Sequence, residues 1–155
     1  MELSEVQWGY VAGYIDADGC ITLVQRKERN CKGLRGVVQV AGTVKESIRW
    51  FHKVFGGSFC VIRPQKQHYR KRYQWSFTSP KGIEYLLKGI VPLLKVKKQQ
   101  ADLLLKWLSI RRSRKGVKGR SRGSDGRFVF VPPPQEELDI LNQIQELNRH
   151  GRKTR

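Results

Sequence analysis

Two pairs of short segments in which polar and apolar residues alternate constrain the fold of this chain most strongly. In the first pair, apolar Ile21 and Leu23 occupy every second position, as expected of a strand with one buried face. The second pair shows the same period around Trp75. A helical pattern precedes each pair. A helix–hairpin order that occurs twice predicts an α+β fold, with a four-stranded antiparallel sheet and the helices gathered on one of its faces.

Capping, glycine and proline signals set the expected boundaries. Ser4 and Gln7 have the spacing of a capping box at the start of the first helix. Gly56 follows the second helix and Pro92 interrupts the third. The predicted elements are a helix from Ser4 to about Asp16, strands Cys20–Glu28 and Val37–Thr43, a helix Lys45–Phe55, strands Ser58–Arg63 and Arg70–Thr78, helices Pro80–Gly89 and Lys95–Arg112, a loop Ser113–Arg127, a short extended piece Phe128–Val131 and a C-terminal helix Gln135–Asn148.

The charge of the chain indicates a polyanionic partner. Among 155 residues, 31 Lys and Arg face 13 Asp and Glu, which leaves a formal charge of +18. The charge is segregated: the range 111–127 holds eight basic residues and one acid, whereas the range 135–147 holds four acids and no base. Because 39% of the residues are hydrophobic, the chain is not a disordered polycation. We expect residues 1–150 to form a single domain, followed by a short basic tail, residues 151–155, that is frayed.

Cysteine usage and hydropathy bear on the compartment. Cys20, Cys31 and Cys60 are odd in number, far apart and outside any CxxC pattern, so neither a zinc site nor a disulfide framework is expected. We expect reduced, small, partly buried side chains. The sequence has no apolar run of 18 residues and no signal-peptide pattern, which predicts a protein without a membrane partner. The expected location is a reducing intracellular compartment, either the cytoplasm or an organelle.

The first helix contains small residues that its own stability does not explain. Gly9 and Gly13 lie inside it, and each costs about 1 kcal/mol relative to Ala. Together with Ala12 they form a stripe that lets another helix approach closely. One interpretation is a tight contact within the same domain. The other is an identical helix from a second copy across a twofold axis.

Asp16 and Asp18 crowd the C-terminus of this helix, where the macrodipole disfavours acids. Asp before Gly is also ordinary turn chemistry, so the pair alone leaves both interpretations open. If the glycine stripe pairs two such helices, their carboxylates converge and repel one another unless a divalent cation lies between them. Magnesium in that position polarises a phosphate and activates water. The coincidence of both features favours a metal-dependent nuclease.

The segment Val11–Gly19, VAGYIDADG, resembles the signature of the LAGLIDADG homing endonucleases, with departures at Val11 and Tyr14. The order of elements over roughly residues 4–112 is similar to the αββαββα unit of that family. The resemblance implies a saddle-shaped four-stranded antiparallel sheet astride double-stranded DNA, helices paired at the centre, and a staggered cut across the minor groove. It also implies that Mg²⁺ or Mn²⁺ is the cofactor.

The resemblance assigns roles residue by residue. Asp18 matches the catalytic, metal-binding acid, Ala17 the position whose carbonyl faces the metal, and Asp16 the first, less often essential acid. Lys97 matches a basic residue near the scissile phosphate, although a solvated lysine at a helix start is the alternative. Val44 stands where many members carry a Gln that orients water or metal, which leaves that part of the site unassigned.

A single motif in the chain implies that two copies are needed to bring two acids together. We therefore expect a homodimer that makes a metal-dependent double-strand cut in a long, near-palindromic target, as in intron homing. The alternatives are an intron maturase that binds intron RNA, a non-catalytic DNA-binding regulator on the same fold, and a ribosomal-type RNA binder. The last alternative explains the charge but not the pattern of glycines and aspartates.

Side chains on the bare face of the sheet are the candidates for reading bases, because a two-stranded ribbon fits the major groove. The basic loop Arg111–Arg127 is expected to grip phosphates. Period two places the following residues on the bare face: Thr22, Val24, Arg26, Glu28, Asn30, Arg35, Val37, Gln39 and Ala41 on the first hairpin, and Arg63, Gln65, Arg70, Arg72, Gln74 and Ser76 on the second.

Overall fold

The computed structural model describes residues 2–25, 33–63, 70–114, 120–122, 128–130 and 132–150. The described part has an α+β fold, as predicted. Its elements in chain order are α1 (Glu5–Asp18), β1 (Gly19–Gln25), β2 (Leu34–Gly42), α2 (Lys45–Phe55), β3 (Ser58–Ile62), β4 (Arg72–Phe77), α3 (Pro80–Ile90), α4 (Lys98–Ser113), β5 (Arg120–Arg122), β6 (Phe128–Phe130) and α5 (Gln135–His150).

The first four strands form one antiparallel sheet with the order β1-β2-β4-β3. Ile21 pairs with Val38, and Val38 in turn pairs with Phe77, so apolar residues line up across the strands on one face. The predicted alternation is confirmed, since Ile21 and Leu23 are buried while Thr22 is only half-buried. Period-two patterning therefore fixes which face of the sheet meets the core.

The core lies between this face and the helices. Trp75 in β4 and Phe51 in α2 are fully buried, and their ring centroids lie 5.3 Å apart. The indole N–H of Trp75 donates to the carbonyl of Gly56 at 2.6 Å, so its polar atom is satisfied inside the core. A Cβ on Gly89 would lie 2.5 Å from the ring of Trp8, which shows how closely α1 packs against α3.

The last helix covers the edge of the sheet and is locked to its neighbour. The amide of Asn148 donates to the main-chain carbonyl of Ile21 in the edge strand β1, at 3.1 Å. Glu137 is buried and accepts hydrogen bonds from Trp107 at 3.0 Å and from Arg114 at 2.6 Å. These bonds join α4 to α5 and give the buried carboxylate two donors.

Several predicted boundaries were wrong. The capping box at Ser4 is present, but α1 runs to Asp18, because the carboxylate of Asp16 finds donors that offset the cost of an acid at a helix end. The fourth helix begins at Lys98 and not at Lys95, since the intervening amides donate to Asp16. The range 113–127, predicted to be a loop, contains β5, which pairs with β6.

None of the helices in the described ranges is long and apolar enough to span a membrane. The basic tail, residues 151–155, lies outside the described residues.

Candidate active site

The junction of α1 and β1 exposes the acid predicted to be catalytic. The helix ends at Asp18, and the N–H of the next residue, Gly19, donates to the carbonyl of Ile15. A Cβ at position 19 would lie 2.7 Å from that carbonyl oxygen, so glycine is required for the strand to begin directly after the helix. Ala17 and Asp18 are exposed at this turn, and no hydrogen bond or ion pair from the described residues engages the carboxylate of Asp18.

Asp16 has a different environment from Asp18. Its carboxylate accepts backbone N–H groups from Lys95 at 2.7 Å, Val96 at 3.2 Å and Lys97 at 2.9 Å. Burial raises the pKa of Asp16, but these donors and the nearby charge of Lys97 outweigh it, so the pKa lies below its ordinary value. Both oxygens of this carboxylate therefore already have partners inside the chain.

Lys97 lies at the same junction of α1 and β1. Its ammonium donates to the main-chain carbonyl of Asp16, and its side chain is partly buried. Burial lowers the pKa of Lys97, while the charges of Asp16, Cys20 and Asp18 act in the opposite direction. The fold thus brings Lys97 and Asp18, which are 79 residues apart in the sequence, close enough for their charges to interact.

Val44, which the resemblance aligned with a polar position of the family, offers no polar side chain here. Val44 precedes α2, is 55% exposed, and provides no side-chain cap for that helix. A polar group nearby comes from Tyr14, whose hydroxyl lies 2.8 Å from where a Cβ on Gly42 would be. Burial, then Tyr10, then Asp18 raise the pKa of Tyr14. In the sequence, Tyr14 stands out only as a departure from the motif, because its contact with β2 depends on the tertiary structure.

One edge of α1 is open. Within the described ranges, a Cβ at Gly9 or at Gly13 would have no atom within 4 Å apart from its own stretch of helix, so no tight contact within the described part of the domain accounts for these glycines. Val6 and Tyr10 are 83% and 44% exposed. We define these four residues as the open edge of α1.

Ala12 was predicted to share this edge, and that prediction was wrong. Ala12 is 2% exposed and belongs to the hydrophobic core, because it lies on the side of the helix that faces the sheet. The open edge therefore shares only Gly9 and Gly13 with the stripe predicted from sequence, and its other members are Val6 and Tyr10.

The other face of the sheet, which we call the outer face, carries most of the predicted DNA-contacting residues that the structure describes. Strand register aligns Thr22 with Val37 and Gln39 with Ser76 on this face. Val37 is only 8% exposed, so its neighbours leave it little surface for a contact, contrary to the prediction. The half-buried or exposed members are Thr22, Val24, Arg35, Gln39, Ala41, Arg72, Gln74 and Ser76.

A small polar network occupies the centre of the outer face. The amide of Gln74 donates to the hydroxyl of Ser76 at 3.0 Å and to the side-chain oxygen of Gln39 at 3.4 Å. The network joins β2 to β4. It orients three side chains, each of which was predicted from sequence to contact DNA. Amide groups held in this way can offer both a donor and an acceptor to a ligand.

Strand pairing adds residues that sequence analysis missed. Cys20 pairs with Gln39 and Cys60 with Gln74, so both cysteines belong to the outer face. Cys60 is exposed, whereas the sequence predicted partly buried cysteines. Ser58 and Ile62 share this face, and period two counted back from Arg72 across the hairpin would have identified them if the register had been known.

Some predicted contacts lie at the strand ends or beyond the described residues. Arg63 directly follows β3, Arg70 lies two residues before β4, and both are exposed. The predicted residues Arg26, Glu28, Asn30 and Gln65 lie outside the described part of the chain, as does Cys31.

The described residues of one chain do not form a metal cluster. Nowhere in the described ranges are three or more His, Cys, Asp or Glu side chains grouped so that they could hold an ion. With the carboxylate of Asp16 occupied, the junction of α1 and β1 offers the single carboxylate of Asp18 and the main chain of Ala17.

No protein-family model matches the sequence, and no curated protein matches it. Solved structures do match. The homing endonuclease I-CvuI in complex with the I-CreI target superposes with a TM-score of 0.63 at 18% identity, over 92% of this chain and 82% of that chain. The homing endonuclease I-TnaI superposes over 100% of both chains, with a TM-score of 0.60 at 16% identity.

The LAGLIDADG homing endonuclease I-GzeII, in complex with its DNA target, superposes over 94% of this chain and 44% of its own, with a TM-score of 0.57 at 16% identity. The resemblance stated from the motif is thus confirmed in three dimensions. The solved structures that this chain resembles are consistently LAGLIDADG homing endonucleases, and at such low identity the likeness shows that the chain has their fold.

Proposed function

We propose that this protein is a homodimeric, metal-dependent, site-specific DNA endonuclease of the intron-homing type. The observation that carries the proposal is that the exposed carboxylate of Asp18 and the ammonium of Lys97, which donates to the main-chain carbonyl of Asp16, lie at the same end of a helix with an open edge. A carboxylate, a cationic side chain and a surface proposed to bind a second copy then lie on the same helix end and edge. The fold shared with proteins named homing endonucleases supports the same reaction class.

The proposed dimer follows from the open edge of α1. Gly9 and Gly13 present bare backbone, which allows a second α1 to approach closely across a twofold axis. Val6 and Tyr10 flank them with exposed apolar surface that a partner helix would bury.

The proposed DNA surface is the outer face of the sheet. Arg35 and Arg72 supply positive charge there, and the network of Gln39, Gln74 and Ser76 supplies paired donors and acceptors for base edges. The ion pairs of the described residues lie instead among the helices, at Glu84, Glu136 and Glu137. Two such surfaces related by a twofold axis favour a long, near-palindromic target.

The residues at the junction fit a divalent cation only as a pair of chains. Hard cations prefer oxygen ligands, and each chain offers the carboxylate of Asp18 and the main-chain carbonyl of Ala17. Asp16, which was predicted from sequence to bind the metal, is not among the proposed ligands, because both of its carboxylate oxygens accept hydrogen bonds from backbone N–H groups. Bound Mg²⁺ or Mn²⁺ supplies Lewis-acid polarisation of a phosphate and a lowered pKa for water.

In this proposal, the two charged side chains at the junction have separate electrostatic roles. Asp18 holds negative charge at the dimer seam, where the negative ends of two helix dipoles meet. Lys97 places a positive charge beside it, where it balances charge that develops on a scissile phosphate. The partial burial of Lys97 restricts its motion and strengthens its electrostatic effect relative to a solvated lysine.

The proposal is tested by selection for cleavage. The purified protein is incubated with a plasmid library of randomised palindromic sites and Mg²⁺, and linearised plasmids are sequenced. We expect one family of near-palindromic sites, no cutting with EDTA, and no cutting by an Asp18→Asn variant prepared in parallel. Absence of cutting together with tight, specific binding of structured intron RNA would instead identify an RNA-binding maturase. Specific DNA binding without cutting would identify a non-catalytic regulator.

A further inference from the structure

The segment that carries Lys97 is tied to α1 through Asp16. Residues 95–97 lie between α3 and α4 and belong to neither helix. Their three N–H groups converge on the carboxylate of Asp16, at 2.7, 3.2 and 2.9 Å. The ammonium of Lys97 then returns to the main-chain carbonyl of the same aspartate. One residue thus fixes both the backbone and the side-chain end of Lys97.

The local sequence provides no other partner for these N–H groups. α4 begins at Lys98, its N-cap Lys97 makes no side-chain capping bond, and Pro92 ends the preceding helix. Amides ahead of a helix have no carbonyl one turn earlier to bind. A carboxylate is a strong acceptor for several N–H groups at once, so Asp16 does here what a capping side chain does elsewhere.

We propose that Asp16 is the positioning residue for Lys97, holding the segment 95–97 so that the ammonium stays at the end of α1 that carries Asp18. The inference rests on the proposed nuclease function and adds a division of labour within the motif. Asp18 acts at the reacting phosphate, where it would bind the metal. Asp16 acts only through Lys97 and does not itself contact DNA or metal.

A first measurement tests the hydrogen bonds between Asp16 and residues 95–97, and it does not depend on DNA cleavage. Hydrogen exchange of the amides of residues 95–97 is followed in the wild type and in Asp16→Asn, which keeps the shape of the side chain but has only one acceptor oxygen. We expect at least one of these amides to exchange about tenfold faster in the variant. The matched control is Asp102→Asn, which removes the same charge from an exposed position on α4 and should leave these amides unchanged.

A second measurement tests the consequence in single-turnover cleavage. We expect Asp16→Ala and Lys97→Ala to slow cleavage by similar factors, about 100-fold if Lys97 is misplaced by about an ångström. The double variant should be no slower than Lys97→Ala, because Asp16 acts only through that lysine. DNA affinity should stay near that of the wild type. Asp16→Asn provides the same comparison if Asp16→Ala does not fold.

The outcomes separate this inference from the function on which it rests. A wild-type protein that cuts no site overturns the proposed function, and the positioning role falls with it. In an active nuclease, unchanged exchange in Asp16→Asn overturns the inference alone. So does a double variant whose loss is the product of the two single losses, because Asp16 would then act independently of Lys97.

Discussion

The main-chain carbonyl of Asp16 accepts the ammonium of Lys97, while the carboxylate of Asp16 accepts the backbone N–H of the same lysine at 2.9 Å. This double contact joins the end of the signature helix to the start of α4, across 81 residues of sequence. It explains how two acids separated by one residue come to differ, since Asp16 is committed to the chain and Asp18 is exposed.

Asp18→Asn should abolish cleavage and leave DNA binding largely intact. The substitution keeps the shape of the side chain but removes the negative charge that the reaction needs. The position is exposed, and its carboxylate has no hydrogen bond or ion pair with any other residue that the structure describes. Single-turnover cleavage and gel-shift binding are the measurements. Loss of binding together with cleavage would indicate that Asp18 has a folding role.

Gly13→Leu should convert dimers to monomers. A leucine at the open edge of α1 would occupy the space proposed for the second helix, yet its Cβ would meet no other part of the described residues. The monomer should be at least as stable as the wild-type monomer, because glycine is the poorer helix former by about 1 kcal/mol. Sedimentation velocity is the measurement, with Ser109→Leu on the exposed side of α4 as the control. Unchanged dimers would refute the helix seam.

DNA affinity should fall steeply with salt. With +18 of formal charge and six or more phosphates neutralised per complex, an increase from about 50 to 200 mM salt should weaken binding by ~1000-fold or more. The measurement is fluorescence anisotropy of labelled target DNA, with the Asp18→Asn variant to prevent cutting. An affinity that stays flat over this range would contradict an electrostatic interface.

Glu137→Ala should lower the free energy of unfolding by about 2–3 kcal/mol. The change leaves the indole N–H of buried Trp107 and the guanidinium of Arg114 without their shared acceptor. Urea unfolding is the measurement. Glu136→Ala, which removes an exposed pair with Lys106 at 3.4 Å, is the control and should cost less than about 0.5 kcal/mol. Equal losses in the two variants would mean that the buried carboxylate contributes nothing specific.

Low pH should decrease the free energy of unfolding, in part because Asp16 becomes protonated. Its pKa in the folded state lies below the ordinary 3.8, so its contribution to stability is complete at pH values above 3.8 and is lost as the pH falls through the folded value. Urea unfolding from neutral pH down to about pH 3 should therefore show a smaller loss for Asp16→Asn than for the wild type. Parallel curves would show that Asp16 is not tied to residues 95–97 in solution.

The order of the helices and the four main strands could be predicted from sequence alone, because period two and period 3.6 are local properties of neighbouring residues. The motif and its resemblance also singled out Asp18 and Lys97 as candidate site residues, and the helical pattern singled out Gly9 and Gly13. Local patterns could not distinguish Asp16 from Asp18, since their difference depends on amides some 80 residues away. They could not place Ala12 in the core, detect β5, or assign Cys20 and Cys60 to the outer face. Those properties depend on strand register and on contacts between distant segments, which only the tertiary structure decides.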